Sequence, residues 1–232
     1  MKPKEIMSNT QLKNISIDEI GEDHLFTSIS TPLRPDAFEM SDEEKIAVIA
    51  EHFREIMHTL GLDLNDESLS GTPLRVAKMY VKELFSGLKP ENAPSITLFE
   101  NNYKYGEILV ERDISFYSNC EHHFVPIVGK VHVGYIANKN VIGLSKLHRI
   151  VNYYARRPQV QERMTMQIGE ALKNALKTND VAVVVDADHF CVSSRGIADQ
   201  SSSTVTSFFD GAFGNVLKRE EFLSLIKLKN NQ

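Results

Sequence analysis

The sequence predicts an α+β fold, with helices first and antiparallel strands after them. Two observations carry this. Apolar residues recur at helical spacing from Ile46 to Leu84, and period-two alternation replaces that pattern from Ile108 onward, with two more helices inserted among the strands. Residues 1–40 are polar and weakly patterned, with Thr31-Pro32 and Arg34-Pro35 as breakers, and read as a loosely ordered arm. Residues 41–232 read as one domain, with helices in 41–90 and the core in 91–232.

Ser41 and Glu44 have the spacing of a capping box, so the first helix starts there. Ile46, Ile49, Phe53, Ile56, Met57 and Leu60 form its apolar stripe, and Gly61 supplies its C-terminal cap. Thr72-Pro73 predicts the next start, with threonine as cap and proline at the first position. Leu74, Ala77, Val81 and Leu84 are its stripe, and Gly87 and Pro90 end it. Ile108 and Val110, then Val131, Val133 and Tyr135, alternate as half-buried strands do. Asn138-Lys139-Asn140 predicts a hairpin turn into Val141-Ile142. Ser145 is expected to cap a short helix ending near Ala155. Pro158 breaks it, and a longer helix runs from about Gln159 to Lys177. Val181–Val185 predicts a strand that continues extended through Cys191. A strand near Ser203–Phe208 and a helix near Lys218–Leu228 complete the chain.

The 232 residues suit one domain, and the apolar share of 42% is ordinary for a globular core. A net charge of −5 argues against a general nucleic-acid-binding surface, so an anionic ligand must be met by local basic residues. No stretch approaches the roughly 18 apolar residues that span a bilayer. The opening residues lack the apolar segment of a secretory signal. The expectation is a cytoplasmic protein with reduced thiols.

The two cysteines stand beside histidines: Cys120-Glu121-His122-His123 and His189-Phe190-Cys191. Thiolate with imidazole is a donor set that Zn²⁺ prefers. A disulfide would not call for those histidines. Cys120 and His123 are three apart, and on a strand such residues face opposite ways, so the chain must turn for both to hold one ion. Cys191 can complete a three-ligand site with a fourth position open to water, as in catalytic zinc. His122 or His189 can instead close the site as a fourth ligand, support it from outside, or transfer protons. Spacing leaves these alternatives open.

Lys146 and Arg149 share a helix face, and Ser145 precedes them at a helix start, where backbone N–H groups receive phosphate. Arg195-Gly196 follows the second metal segment. Arg75 stands in a first helical turn, where a cation opposes the helix dipole, so something else must hold it. In the long helix Gln161 falls inside the apolar stripe of Val160, Met164, Ile168, Ala171, Leu172 and Ala175, and needs a specific partner. Glu162 falls outside that stripe; it serves the helix dipole or accepts N–H groups from a guanine.

Taken together, Cys120-Glu-His-His-Phe, Gly143-Leu-Ser-Lys-Leu-His-Arg149, Arg157-Pro-Gln-Val-Gln-Glu-Arg163 and His189-Phe-Cys-Val-Ser-Ser-Arg-Gly196 resemble the motifs of the GTP cyclohydrolase I family. Gly71-Thr-Pro-Leu-Arg75 resembles that family's second helix start. The resemblance covers about residues 42–228. It implies the tunnelling fold: an antiparallel sheet with helices on one face, the sheets of several subunits closing into a barrel. It implies a homodecamer of two pentamers, with active sites between subunits. It implies conversion of GTP and water to 7,8-dihydroneopterin triphosphate and formate, at the start of pterin and folate biosynthesis.

By the same resemblance one zinc ion per subunit is held by Cys120, His123 and Cys191, and His122 and His189 transfer protons. Ser145, Lys146, Arg149 and Arg195, with Arg75, hold the triphosphate. Glu162 reads guanine, and Gln161 holds the purine in the same pocket. Water activated at the metal adds to C8 while His189 protonates N7. The ring opens, formate leaves, and the ribose rearranges into the pterin, with His122 serving the ribose side. The competing readings are a non-catalytic zinc- and nucleotide-binding module of the same fold, and another reaction on that fold.

Overall fold

Residues 28–227 are described by a computed structural model, and their helices and strands lie in one unit, Leu33–Gln232. The arm expected over 1–40 falls mostly on residues 1–27, outside the described residues. Helix α1 (Asp42–Thr59) begins at the expected capping box: the Glu44 N–H donates to Ser41 Oγ (3.2 Å), and the Ser41 N–H donates to Glu44 Oε2 (2.7 Å). It ends where Gly61 takes φ +81°. The Gly61 N–H reaches the His58 carbonyl and the Leu62 N–H the Met57 carbonyl, closing the last turn.

One turn, α2 (Glu67–Ser70), precedes α3 (Thr72–Met79), which continues as a wider π turn over Tyr80–Leu84. Gly71, not Thr72, is the cap of α3, because the Thr72 hydroxyl accepts from Arg75 instead of a backbone N–H. Ile46 of α1 packs on Ala77 and Val81. Ile49 packs beside them and Met57 is buried, whereas Ile56 is 52% and Leu60 72% exposed.

The main sheet has the order β5-β2-β3-β6-β7, formed by β2 (Ile108–Cys120), β3 (Pro126–Ile136), β5 (Pro158–Gln159), β6 (Val181–His189) and β7 (Thr204–Phe209). All its neighbours are antiparallel except β5, which runs parallel to the end of β2. The expected hairpin at Asn138–Asn140 does not form. Both edges of β3 are taken by long partners, so β4 (Asn140–Ile142) pairs instead with β1 (Leu98–Glu100) in a separate ribbon.

Helix α4 (Leu144–Ala155) starts after Gly143, so Ser145 lies inside its first turn and is not its cap. Helix α5 (Gln161–Leu176) starts after Val160, two residues later than expected, because Pro158 and Gln159 are drawn into pairing with β2. Leu147, Ile150 and Val151 of α4 and Met164, Ile168 and Leu172 of α5 bury one sheet face, meeting Ile114, Phe116, Val131, Val133, Val183 and Val185. Alternate strand residues face the other way. There Ala182 and Val184 meet Phe213 and Phe222, the latter from α7 (Val216–Lys227). A Cβ on Gly134 would stand 2.6 Å from the Phe222 ring, so a side chain there would collide with it. The expectation of helices on one face therefore holds for α4 and α5 and fails for α7.

The strand expected to run through Cys191 stops at His189. Phe190–Ser193 forms a single helical turn, α6. Register places the end of β2, the start of β3 and the end of β6 together, since Asn119 faces Pro126 and Ile127 faces His189.

Candidate active site at the end of the sheet

Cys120 is the last residue of β2. The Phe124 N–H donates to its carbonyl and its own N–H donates to Val125, each at 2.9 Å, so the chain reverses over Glu121–Phe124. Phe124 closes the reversal at φ +56°. This is the turn that Cys120 and His123 need to face one point. From across β3, the α6 turn delivers Cys191. Cys120 Sγ, a ring nitrogen of His123 and Cys191 Sγ lie within 4.8 Å of one another. Zinc takes thiolate at about 2.3 Å and imidazole at about 2.0–2.1 Å, so its ligand atoms stand about 3.5–4 Å apart. The three residues fit that span with a small closure.

Their electrostatics ask for a cation. Burial pushes the Cys191 thiol up, and the charge of Cys120 beside it pushes it further. Cys120 is buried and Cys191 half-buried, and a cation held between them would offset the cost of ionising both.

His189 stands beside this group, committed elsewhere by one nitrogen. Its Nε2 is 2.7 Å from Gln161 Oε1. Gln161 is 1% exposed, as its place in the stripe required. Its Nε2 donates to the Val185 carbonyl (3.1 Å), the Thr204 carbonyl (2.8 Å) and Thr206 Oγ1 (3.1 Å). Carbonyls only accept, so the amide cannot be reversed and Oε1 must face His189. The proton of neutral His189 is therefore on Nε2, and Nδ1 is left for exchange with a ligand. Burial holds the His189 pKa below its ordinary value, against the charges of Glu162 and Asp188. His189 is thus a neutral imidazole at neutral pH, with exposed Glu162 close enough to be felt.

His122 lies in the turn itself, its Nδ1 3.7 Å from Cys120 Sγ and its Nε2 3.8 Å from Glu121 Oε1. Arg195 Nη1 is 2.9 Å from His123 Nε2, which puts one predicted anion-binding cation at the metal group. The others are not there. Lys146 Nζ donates to Ser95 Oγ, and Arg149 lines a cavity of about 420 Å³ with Asn152 and Arg156. His148, between them, bonds Glu111 at 3.0 Å, and from Glu111 to Cys120 is about 30 Å of extended chain. Within one chain, Ser145, Lys146 and Arg149 are thus remote from the metal group. Arg75 is held by the Ser68 carbonyl and Thr72 Oγ1.

Sequence reasoning missed one pair. Arg163, 5% exposed, forks onto Glu121, with Nη1–Oε2 at 2.5 Å and Nη2–Oε1 at 3.1 Å. The signal was available. Arg163 is a cation in the first turn of a helix, the same feature that singled out Arg75.

Comparison with known proteins identifies the family. The family model described as GTP cyclohydrolase I matches residues 49–227. The chain is 58% identical over 212 residues to GTP cyclohydrolase 1 of Flavobacterium johnsoniae, covering 91% of this chain and 95% of that protein. It is 52% identical over 203 residues to GTP cyclohydrolase 1 of Escherichia coli, covering 87% and 91%. A metal turn, a buried glutamine–histidine pair and similarity along nearly the whole chain lead to one conclusion: the protein belongs to the GTP cyclohydrolase I family.

Proposed function

We propose that the protein converts GTP and water to 7,8-dihydroneopterin triphosphate and formate, with zinc held by Cys120, His123 and Cys191. The observation that carries the reading is the group of three ligand atoms within 4.8 Å, with His189 fixed beside it by Gln161. Bound there, zinc would lower the pKa of water to about 7 and supply a nucleophile at neutral pH. A neutral His189 takes a proton at Nδ1 as water adds to C8 of guanine and delivers it to N7. Gln161 contributes to the purine pocket by holding that ring. Glu162, exposed one residue further on, accepts from the guanine N1–H and amino group. His122 serves the proton transfers on the ribose side. Three candidate ligands would leave room for water on the metal, and the hold of Gln161 on His189 Nε2 suits that imidazole to proton transfer.

Ser145, Lys146, Arg149, Arg195 and Arg75 hold the triphosphate. Lys146 and Arg149 flank His148, which stands at the Glu111 end of β2 and not the Cys120 end, and on this reading α4 of one copy completes the site of another. The edge strands support this reading: β7 has one neighbour, and β2 is paired on its outer side only at Asn119 and Cys120. Open edges of this kind pair with other chains. Joined in a ring they give the barrel of the tunnelling fold. Exposed Ile56, Leu60 and Leu74 offer apolar surface for pairing two pentamers into a decamer. Residues 41–232 form the catalytic domain, and the protein works in the cytoplasm. Among the described residues no helix is long and apolar enough to cross a membrane.

Incubation with GTP and zinc, following formate and a pterin chromophore against metal-stripped protein, tests the reading.

A further inference from the structure

We infer that Arg163 and Glu121 are a positioning pair, holding the Cys120–His123 turn in its metal-binding shape and fixing a carboxylate beside His122. The inference rests on the functional reading above and gives it a part that no ligand or proton-transfer residue supplies. Arg163 is in the first turn of α5, at the positive end of the helix dipole, with its side chain 3% exposed. Both dipole and burial disfavour a cation there. Its two bonds to Glu121 oppose that cost, and Glu121 stands between two residues of the metal group.

The connection is direct. The Glu121 backbone N–H donates to the Gln159 carbonyl (3.0 Å), which ties the turn to the strand before α5. The Arg163 fork ties the Glu121 side chain to α5 itself. Phe124 of the turn packs edge-on against Phe85, with ring centroids 5.2 Å apart. The reversal is therefore held both by α5 and by the segment after the π turn. Glu121 Oε1, which receives Arg163 Nη2, is also 3.8 Å from His122 Nε2. A guanidinium fixes both carboxylate oxygens in one plane, while a lysine ammonium supplies the charge without the fork. With lysine, Oε1 is free to swing away from His122 and the turn loses its side-chain anchor.

Arg163→Lys and Glu121→Asp test this in the full-length protein, since each keeps both charges and so leaves no buried ion alone. Zinc affinity is read by competition with a chromophoric chelator in the absence of GTP. Then kcat and KM are read at saturating zinc. Groups that orient metal ligands are typically worth 10–100-fold in affinity or activity. The expected result is zinc binding weaker by about tenfold or more and kcat lower by about tenfold, with KM for GTP nearly unchanged. Leu172→Ala, in the core of α5, is the control for lost stability alone. It is expected to leave zinc affinity unchanged. Zinc affinity and kcat within twofold of the unmodified protein in either variant that folds would overturn the inference, as would an equal loss in Leu172→Ala. Failure of the unmodified protein to convert GTP would count against the functional reading and would leave the zinc measurement standing.

Discussion

Gln161 and Glu162 are adjacent, yet the fold gives them opposite tasks. Gln161 turns inward, spends its amide on two strand carbonyls and a threonine, and so fixes the tautomer of His189. Glu162 is exposed in the first turn of α5, where its charge suits the helix dipole and is felt by His189. Its removal should therefore affect substrate and not folding. Glu162→Ala is expected to lower kcat/KM for GTP by about 10–100-fold, the worth of a lost charge-assisted hydrogen bond. Its denaturant midpoint should stay near that of the unmodified protein.

His132 offers a second test at this scale. Burial holds its pKa below the ordinary 6.5, although Asp113 and Asp186 oppose the shift, while Lys130 and Arg112 add to it. Its ring nitrogen Nδ1 accepts from the Asp113 N–H at 3.2 Å. The unfolded chain then binds more protons than the folded one just below pH 6.5. Stability is full above that pH and declines as pH falls toward the folded value. Denaturant unfolding followed from pH 7.5 to 5 should show that decline, and His132→Asn should flatten it. A slope unchanged by the substitution would refute the assignment.

Among the elements, local chemistry was legible where it was self-contained. The Ser41–Glu44 box sits where the sequence placed it, and Ser41→Ala is expected to cost about 1 kcal/mol in a denaturant titration. The turn after Cys120 was legible too, because two ligands three apart on a strand have no other way to meet. Gln161 announced itself as a polar residue in an apolar stripe. What failed depended on partners distant in sequence. Asn138–Asn140 does turn, but no local residue reports that β3 already has a neighbour on each side. Cys191 was expected on a strand because the apolar run before it gives no stop signal. Arg163 carried a signal, but its meaning lay in Glu121, 42 residues earlier.

At the scale of the whole molecule, the proposed shared site rests on the exposed Ile56 and Leu60 of α1, the single neighbour of β7 among the described residues, and the placing of the α4 basic group at the Glu111 end of β2, away from Cys120. The same separation makes a mixing experiment decisive. Chains carrying Lys146→Ala and chains carrying Cys191→Ala should each be nearly inactive alone. Unfolded together and refolded, they should regain a measurable fraction of activity, because some sites would draw Lys146 from one chain and Cys191 from the other. Absence of any recovery in refolded mixed assemblies would contradict a site shared between copies.

On the proposed reading the Cys120–His123–Cys191 group makes this chain a GTP-opening enzyme. Formate released from GTP, measured while zinc is titrated into metal-stripped protein, tests it most directly. Formate and pterin should appear together, rise to a plateau at one zinc per chain, and be lost in Cys191→Ala. Full formate release without metal, or none at saturating zinc, would contradict it.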